Sequence, residues 1–449
     1  MSQTPQHIVL MIADSLRYDS VWNEGDPALP WLNENSTTYH QAYSAGCWTL
    51  PSTASMFTGL DPHEHGATTR SRGVNQSVQT LAESLGDKGY KTVQLTANPV
   101  TTHIFGLDRG FDKIERVWRS MNPGTIPLAN ILVLLGKRRI RDKFLKGDFI
   151  TGKMTEDIQA GQSWVHSFCQ SQFQRAHEIL KAATAKGQKV FLFINLMETH
   201  FPYHVSNKFQ VMSRGILDKF RELKSMFHMV NQSWLANDKV YIEPRMLNLL
   251  RSRQKTSWRK FSYAIDSFSE SIRDTYPDSL YIFTSDHGDN FGDEGWRYHF
   301  SNVTEAGNRV PLFVAGPEVP AGEETTTPTS IRLLKQFIVN AAETGIQPER
   351  LEPQFYDALP LLESFWYDKN GKTLSKFQSD QFGFIYDGHR YTKNGDGWHL
   401  YKLGAEDSAV IDAIPYDADP VYDLDMDKSQ QNFLREKYES FRKFSRSIS

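Results

Sequence analysis

Two cysteines, Cys47 and Cys169, are all the thiols in 449 residues. A single pair makes no disulfide framework, and so sparing a use of cysteine points to a reducing compartment. Net charge is scarce as well: 50 Lys and Arg against 53 Asp and Glu leave −3, with a sequence pI near 6.5. No whole-protein field therefore draws the chain to nucleic acid or to anionic lipid. Long apolar runs are missing. The first, from Ile8, lasts about seven residues without a basic flank and does not read as a signal peptide. The run Ile131-Leu-Val-Leu-Leu135 falls far short of the ~20 residues that a spanning helix needs. These absences predict a cytoplasmic protein with no transmembrane segment and no nucleic-acid partner. Internal repeats and low-complexity tracts are absent too.

What is present describes an ordinary soluble globule: 39% hydrophobic and 23% charged residues, in a chain long enough for a large core. Continuous apolar runs at His7–Ala13, Thr92–Thr96, Val190–Leu196, Ser279–Thr284 and Val310–Ala315 read as buried strands. Helical patterns fall between them, over Gln79–Gly89, Phe261–Asp274 and Thr329–Thr344. This alternation predicts an α/β fold with a large, mostly parallel central sheet sandwiched by helices. Two further helical stretches, about 118–186 and 205–262, read as insertions, the second as a cover over the site. From about Phe382 the texture changes to short alternating strands broken by Asp-Gly and Asn-Gly, the hairpin signal. The division expected is therefore 1–378 for the catalytic α/β unit and 379–449 for a small antiparallel-sheet subdomain with its tail.

Open α/β sheets place ligands at the carboxyl ends of their strands. Asp14 stands at the end of the first strand, and Asp286-His287 just past a later one. Between Gly46 and Gly66, the segment GCWTLPSTASMFTGLDPHEHG sets Thr49 just ahead of a short helix spanning Ser52 to Phe57, where N–H groups favour negative charge. Two carboxylates, an imidazole and a hydroxyl make a mixed oxygen and nitrogen site for a divalent cation. Such an ion lowers the pKa of a coordinated hydroxyl, which turns a feeble nucleophile into a usable one. Asp289 either ligates or orients His287. Each residue also has a structural alternative. Thr49, Ser52 or Thr53 can cap a helix, Asp14 can be an N-cap, and Asp286-His287-Gly288 can be a plain strand-to-loop turn.

The ordered set of motifs resembles the alkaline phosphatase superfamily on its sulfatase-like branch. The matching stretches are Val9–Asp14, Pro51–His63 with His65-Gly66, Thr284–Gly288, Val310–Leu312 and Val421–Asp427, and they span nearly the whole chain. The resemblance implies metal-assisted cleavage of a phosphate or sulfate ester through a covalent intermediate. It assigns Asp14, Asp286 and His287, with Thr49, to one divalent ion (Mn, Zn, Ca or Mg), and Thr49 to the nucleophile. His200 and His299 resemble the histidines that bind non-bridging oxygens or protonate the leaving group.

The departures from that pattern narrow the chemistry. Sulfatases carry a cysteine matured to formylglycine in a Cys-X-Pro-X-Arg frame, whereas here Thr49 holds that position and Thr53 stands at the arginine. Cys47 is two residues out of register. A formylglycine hydrate expels sulfate by collapsing to an aldehyde; an esterified threonine cannot, and needs water at phosphorus or sulfur. Phosphate-type esters are therefore expected: phosphodiesters, phosphonate esters or phosphomonoesters, on a small molecule, glycan or lipid. The alternatives are a sulfate ester hydrolase, a phosphoethanolamine- or phosphoglycerol-type transferase, and a catalytically silent binding protein. Ser15 replaces a common second aspartate, and Glu198, His200 and His204 are the compact candidates for a second ion, so one metal is expected. Asn98 lies where the family has a lysine-and-histidine stretch.

Overall fold

The computed structural model describes residues 4–22, 29–68, 73–116, 168–200, 203, 244–299, 303–346, 355–358, 381–394, 397–403, 410–413 and 419–448. Most of the two expected insertions, residues 118–167 and 205–243, lies outside them, as does His204. Their described ends are helical, Phe168–Thr184 and Pro244–Thr275.

The apolar runs form the centre of one large sheet. β1 (His7–Ala13) pairs in parallel with β5 (Val190–Leu196) on one side and with β6 (Leu280–Thr284) on the other. Beyond β5 come β3 (Lys91–Thr96) and β4 (Lys113–Arg116), also parallel. Beyond β6 lie β9 (Arg309–Ala315), β2 (Thr37–Tyr43) and β10 (Glu323–Thr325), with β11 (Thr329–Ser330) also on β2. Only β9 runs against the rest among the described strands, pairing antiparallel with both neighbours. The mostly parallel sheet predicted from sequence is thus present, with one reversed strand.

Alternation along β1 shows why its run is apolar throughout. Ile8, Leu10 and Ile12 enter the core on one face with Leu50, Phe57 and Phe193. Val9, Met11 and Ala13 enter the other with Trp258, Ile265 and Phe268 of the long helix. A strand buried on both faces has no polar side to show. Its first polar residue is where it leaves the sheet.

A second, five-stranded antiparallel sheet joins β12 (Phe355–Ala358), β13 (Gln381–Tyr386), β14 (His389–Asn394), β15 (Gly397–Lys402) and β16 (Val410–Ala413). β12 lies upstream of residue 379, so this sheet begins earlier than the sequence texture suggested. The β13–β14 turn is the expected Asp-Gly hairpin, with φ of 46° at Asp387 and 71° at Gly388. Phe382, Phe384 and Trp398 pack on Leu434, Tyr438 and Phe441 of the C-terminal helix Lys428–Ile448. Arg390 of β14 ties this sheet to the segment that follows β6: 1% exposed, it donates to Glu294 and to the Val303 carbonyl. Among the described residues, no helix is long and apolar enough to cross a membrane.

Candidate metal centre and nucleophile

Three chain segments reach the carboxyl edge of the large sheet and converge. Asp14 leaves β1 with its amide still bonded to the Leu196 carbonyl, at 2.8 Å. The next residue turns sharply, Ser15 taking a left-handed φ of 61°. This points the Ser15 N–H at Asp286 Oδ1, at 3.1 Å, and ties the ends of β1 and β6 together. Left-handed backbone is rare for a residue with a side chain and collects at functional sites.

Asp286 and His287 follow β6, and Gly288 is what lets them do so. A Cβ on Gly288 would stand 2.1 Å from the Ala306 carbonyl oxygen, and its N–H donates to the Gly307 carbonyl at 2.8 Å. The His287 ring is fixed by the Gly288 carbonyl, 2.9 Å from Nδ1. A carbonyl only accepts, so Nδ1 carries the proton and the Nε2 lone pair faces inward.

Ligand atoms of Asp14, Asp286 and His287 all lie within 4.8 Å of one another, and the three side chains are fully buried. His287 Nε2 is 3.4 Å from Asp286 Oδ2 and 3.8 Å from Asp14 Oδ1. Burial, and then the Asp14 charge, push the Asp286 carboxyl well above the usual range. Burial lowers His287, against the pull of Asp14. Asp286 Oδ2 is buried without a hydrogen-bond partner among the described residues. A lone pair and an orphaned carboxylate oxygen aimed at one another make sense around a cation, so the set fits a divalent ion held by two oxygens and a nitrogen. No second cluster of three such ligands occurs among the described residues. Glu198, one of the three compact candidates for such a cluster, accepts from the Cys169 amide at 2.7 Å instead.

Thr49 is the first residue of the helix Thr49–Thr58, three residues earlier than the expected start at Ser52. The N-cap position falls to Trp48, so Thr49 does not cap. Its Oγ1 lies 3.4 Å from Asp14 Oδ2, from His287 Nε2 and from Asn98 Nδ2. One turn on, Thr53 is buried on the same helix.

The expected histidines reach the same place. The His299 ring is 4.4 Å from that of His287 and 5.3 Å from that of His200, centroid to centroid. Asp289, expected to serve the metal or His287, lies outside the three-ligand cluster of the described residues. It pairs through Oδ1 with His299 Nδ1, while Oδ2 accepts from the Tyr203 hydroxyl at 2.8 Å. The physical reason is the turn at Gly288, after which Asp289 faces the β7–β8 hairpin (Asn290–Phe291 with Arg297–Tyr298) that carries His299. Burial lowers His299 well below its ordinary value and raises Asp289.

Arg17 braces this hairpin from behind, donating to the Asp289 carbonyl at 2.9 Å and to Asp293 at 2.7 Å. Burial works against the Arg17 charge, yet Asp19 and Asp293 hold the guanidinium above its usual range. Sequence reading left Asn98, Asn195 and Tyr203 without roles. Asn98 Nδ2 donates to Asp14 Oδ2 at 2.7 Å, and Asn195 Nδ2 stands 3.4 Å from the same oxygen. The available signal was positional: Asn195 lies near the end of β5, beside β1, and Asn98 just past the end of β3, one strand further out.

Known proteins resemble this chain over most of its length. A sulfatase family model matches residues 6–341. The choline-sulfatase of Rhizobium meliloti (strain 1021) is 24% identical over 348 residues, which cover 73% of this chain and 64% of that protein. This chain therefore spans just under two thirds of that relative's length. Among solved structures, the phosphonate monoester hydrolase of Agrobacterium radiobacter superposes with a TM-score of 0.62 at 17% identity, covering 98% of this chain and 96% of that one. A protein in the alkaline phosphatase superfamily from Vibrio parahaemolyticus gives 0.58 at 14% identity, over 100% and 89%. The last two likenesses concern the fold.

Proposed function

Because the chain belongs to the sulfatase family, we propose that it is a metal-dependent hydrolase of phosphate-type esters that works through a covalent Thr49 intermediate. The observation that carries this reading is the placement of Thr49 Oγ1 at 3.4 Å from both Asp14 and His287, two of the three clustered ligand residues. Asp14, Asp286 and His287 would hold a divalent ion, which when bound would supply charge to acidify the Thr49 hydroxyl and balance the anionic substrate.

The chain's own groups divide the remaining work. Asp14 and His287 stand close enough to Thr49 Oγ1 to orient its proton and lone pairs for attack. The Thr49 oxygen forms a bond to phosphorus as the bond to the ester oxygen breaks, and the departing alcohol takes up one proton. Water then attacks phosphorus, gives up a proton, and frees the Thr49 hydroxyl. Delivery and removal of those protons is assigned in this reading to His200 and His299, whose rings lie 5.3 Å apart, with that of His299 4.4 Å from His287. Asp289 pairs with His299 Nδ1 and so fixes the orientation of the ring.

Threonine favours phosphorus over sulfur in this scheme, because its ester has no aldehyde to collapse to. Sulfate ester hydrolysis is the second reading, favoured by the similarity to a choline-sulfatase. A catalytically silent scaffold is disfavoured by the intact ligand cluster. Thr49→Ala should abolish release of 4-nitrophenol from bis(4-nitrophenyl) phosphate and from 4-nitrophenyl phenylphosphonate, with the fold unchanged by circular dichroism. Near-native turnover by that variant on the substrate the wild type prefers would overturn the assignment.

A further inference from the structure

We propose that Asn98 is a specificity-determining donor, its neutral amide meeting a non-bridging oxygen of the group transferred to Thr49 and tuning the site to esters with one negative charge. The inference deepens, and rests on, the reading of Thr49 as nucleophile.

The orientation of the amide is dictated by its surroundings. Asn98 begins the 3₁₀ turn Pro99–Thr101, and its Oδ1 accepts from the Val100 N–H at 2.9 Å. Only the carbonyl end can accept, so the NH₂ end faces the site. The backbone is pinned as well: the Asn98 N–H donates to Thr96 Oγ1 at 3.0 Å, and Thr96 Oγ1 lies 2.6 Å from Thr101 Oγ1. The side chain is 4% exposed and has little room to turn. Its two hydrogens are aimed at Asp14 Oδ2, 2.7 Å away, and at Thr49 Oγ1, 3.4 Å away. A donor at that distance from the attacking oxygen lies beside the equatorial oxygens of a phosphoryl or sulfuryl group in flight. There it can make a contact of about 2.7–3.1 Å, the range of an oxyanion donor.

Charge decides what such a site accepts. Among the described residues, the side chains bonded to Thr49 or Asp14 are Ser15, Asn98, Asn195, Thr199 and His287, without a lysine or arginine. Thr53, on the same helical face as Thr49, adds no charge. The guanidinium of Arg17 is occupied by Asp19, Asp293 and the Asp289 carbonyl. Two carboxylates balance a divalent ion, and among the described residues no lysine or arginine bonded to Thr49 or Asp14 offsets the second charge of a phosphomonoester. A buried, uncompensated charge is costly, whereas a neutral amide serves a singly charged ester without penalty. Phosphodiesters, phosphonate monoesters and sulfate esters meet that condition.

The test uses phenyl sulfate and phenyl phosphate, a near-isosteric pair that differs by one charge at pH 8, well above the second phosphate pKa of about 6. Binding of each to Mn²⁺-saturated Thr49→Ala protein is measured by calorimetry, with Asn98 intact and with Asn98→Lys. Phenyl sulfate should bind at least as tightly as phenyl phosphate when Asn98 is present. The lysine should shift the ratio of the two Kd values at least tenfold toward phenyl phosphate. Asn98→Asp keeps the oxygen that caps Val100 and should shift the ratio the other way, which covers the case of a lysine variant that does not fold. In the catalytic background, Asn98→Ser also keeps a capping oxygen but lacks the reach, and should lose about 10²–10³ in kcat with little change in melting temperature. An unchanged Kd ratio in the Lys and Asp variants, or full kcat in the Ser variant, overturns the proposal. Turnover by Thr49→Ala would overturn the nucleophile reading instead, so the two failures are distinguishable.

Discussion

Titrating Mn²⁺ into EDTA-stripped protein should raise its melting temperature by about 3 °C once the ion stands a hundredfold above its Kd. Asp14 and Asp286 are both fully buried and share one cluster with His287. A ligand that binds only the folded state at that concentration contributes about 2.7 kcal/mol. With 449 residues at ~2.1 cal/mol/K each, the unfolding entropy is about 0.9 kcal/mol/K, and the quotient gives the shift. The pair also sets the pH dependence. Burial, and then Asp14, raise Asp286 in the metal-free fold. The folded chain therefore keeps a proton that the unfolded chain releases near pH 4. That contribution is complete below the unfolded value and is lost as pH rises through the raised folded one. Metal-free protein should thus be less stable at pH 8 than at pH 6 on this account, and the gain from the ion larger at pH 8. Asp286→Asn relieves the repulsion, so its metal-free melting temperature should hold or rise while the gain from Mn²⁺ disappears. Differential scanning fluorimetry on both proteins reads all of this. Equal gains in the two, or no gain in wild type with Mn²⁺, Zn²⁺, Mg²⁺ or Ca²⁺, would refute the assignment of the cluster.

Further predictions bear on the proton relay, the Arg390–Glu294 pair and acid stability. Asp289→Asn frees the His299 ring and should lower kcat by about 10²-fold or more while leaving the Mn²⁺ melting gain intact; loss of that gain would return Asp289 to the metal. Arg390→Met leaves Glu294 buried and unpaired and should destabilise by about 3–5 kcal/mol, with much of it recovered in Arg390→Met/Glu294→Gln; a loss under 1 kcal/mol in urea melts would show the pair to be idle. His65 Nδ1 accepts from the Ala67 amide, and burial brings the imidazole down to about 3. The unfolded chain binds a proton that the folded one refuses, so stability present above about pH 6.5 falls as pH drops toward that lowered value. His65→Gln should show a smaller drop in urea midpoint between pH 7 and pH 5; an equal drop would place the acid sensitivity elsewhere.

Strand identity was legible because burial on both faces leaves an unmistakable record. Val190–Leu196 is apolar or neutral throughout and is a strand with those bounds. Asp14 and Asp286 were legible for the complementary reason: a charge directly after such a run must sit at the sheet's carboxyl edge. The Asp387-Gly388 hairpin declared itself through the backbone angles it requires. By contrast, β12 went unnoticed as part of the small sheet, since its pairing with β13 bridges a separation that no local pattern encodes.

The sequence by itself determined the order of strands and helices and the residue types offered to the site, because periodicity and charge placement are local properties of the chain. Tertiary structure alone decided which of those residues meet. It paired Asp289 with His299, turned the Asn98 amide toward Thr49 by giving its oxygen to Val100, and left Asp286 Oδ2 facing the His287 lone pair. Such choices depend on directions fixed by contacts between segments far apart in the chain. Hydrogen-bond direction, unlike hydrophobic pattern, has no counterpart in residue spacing.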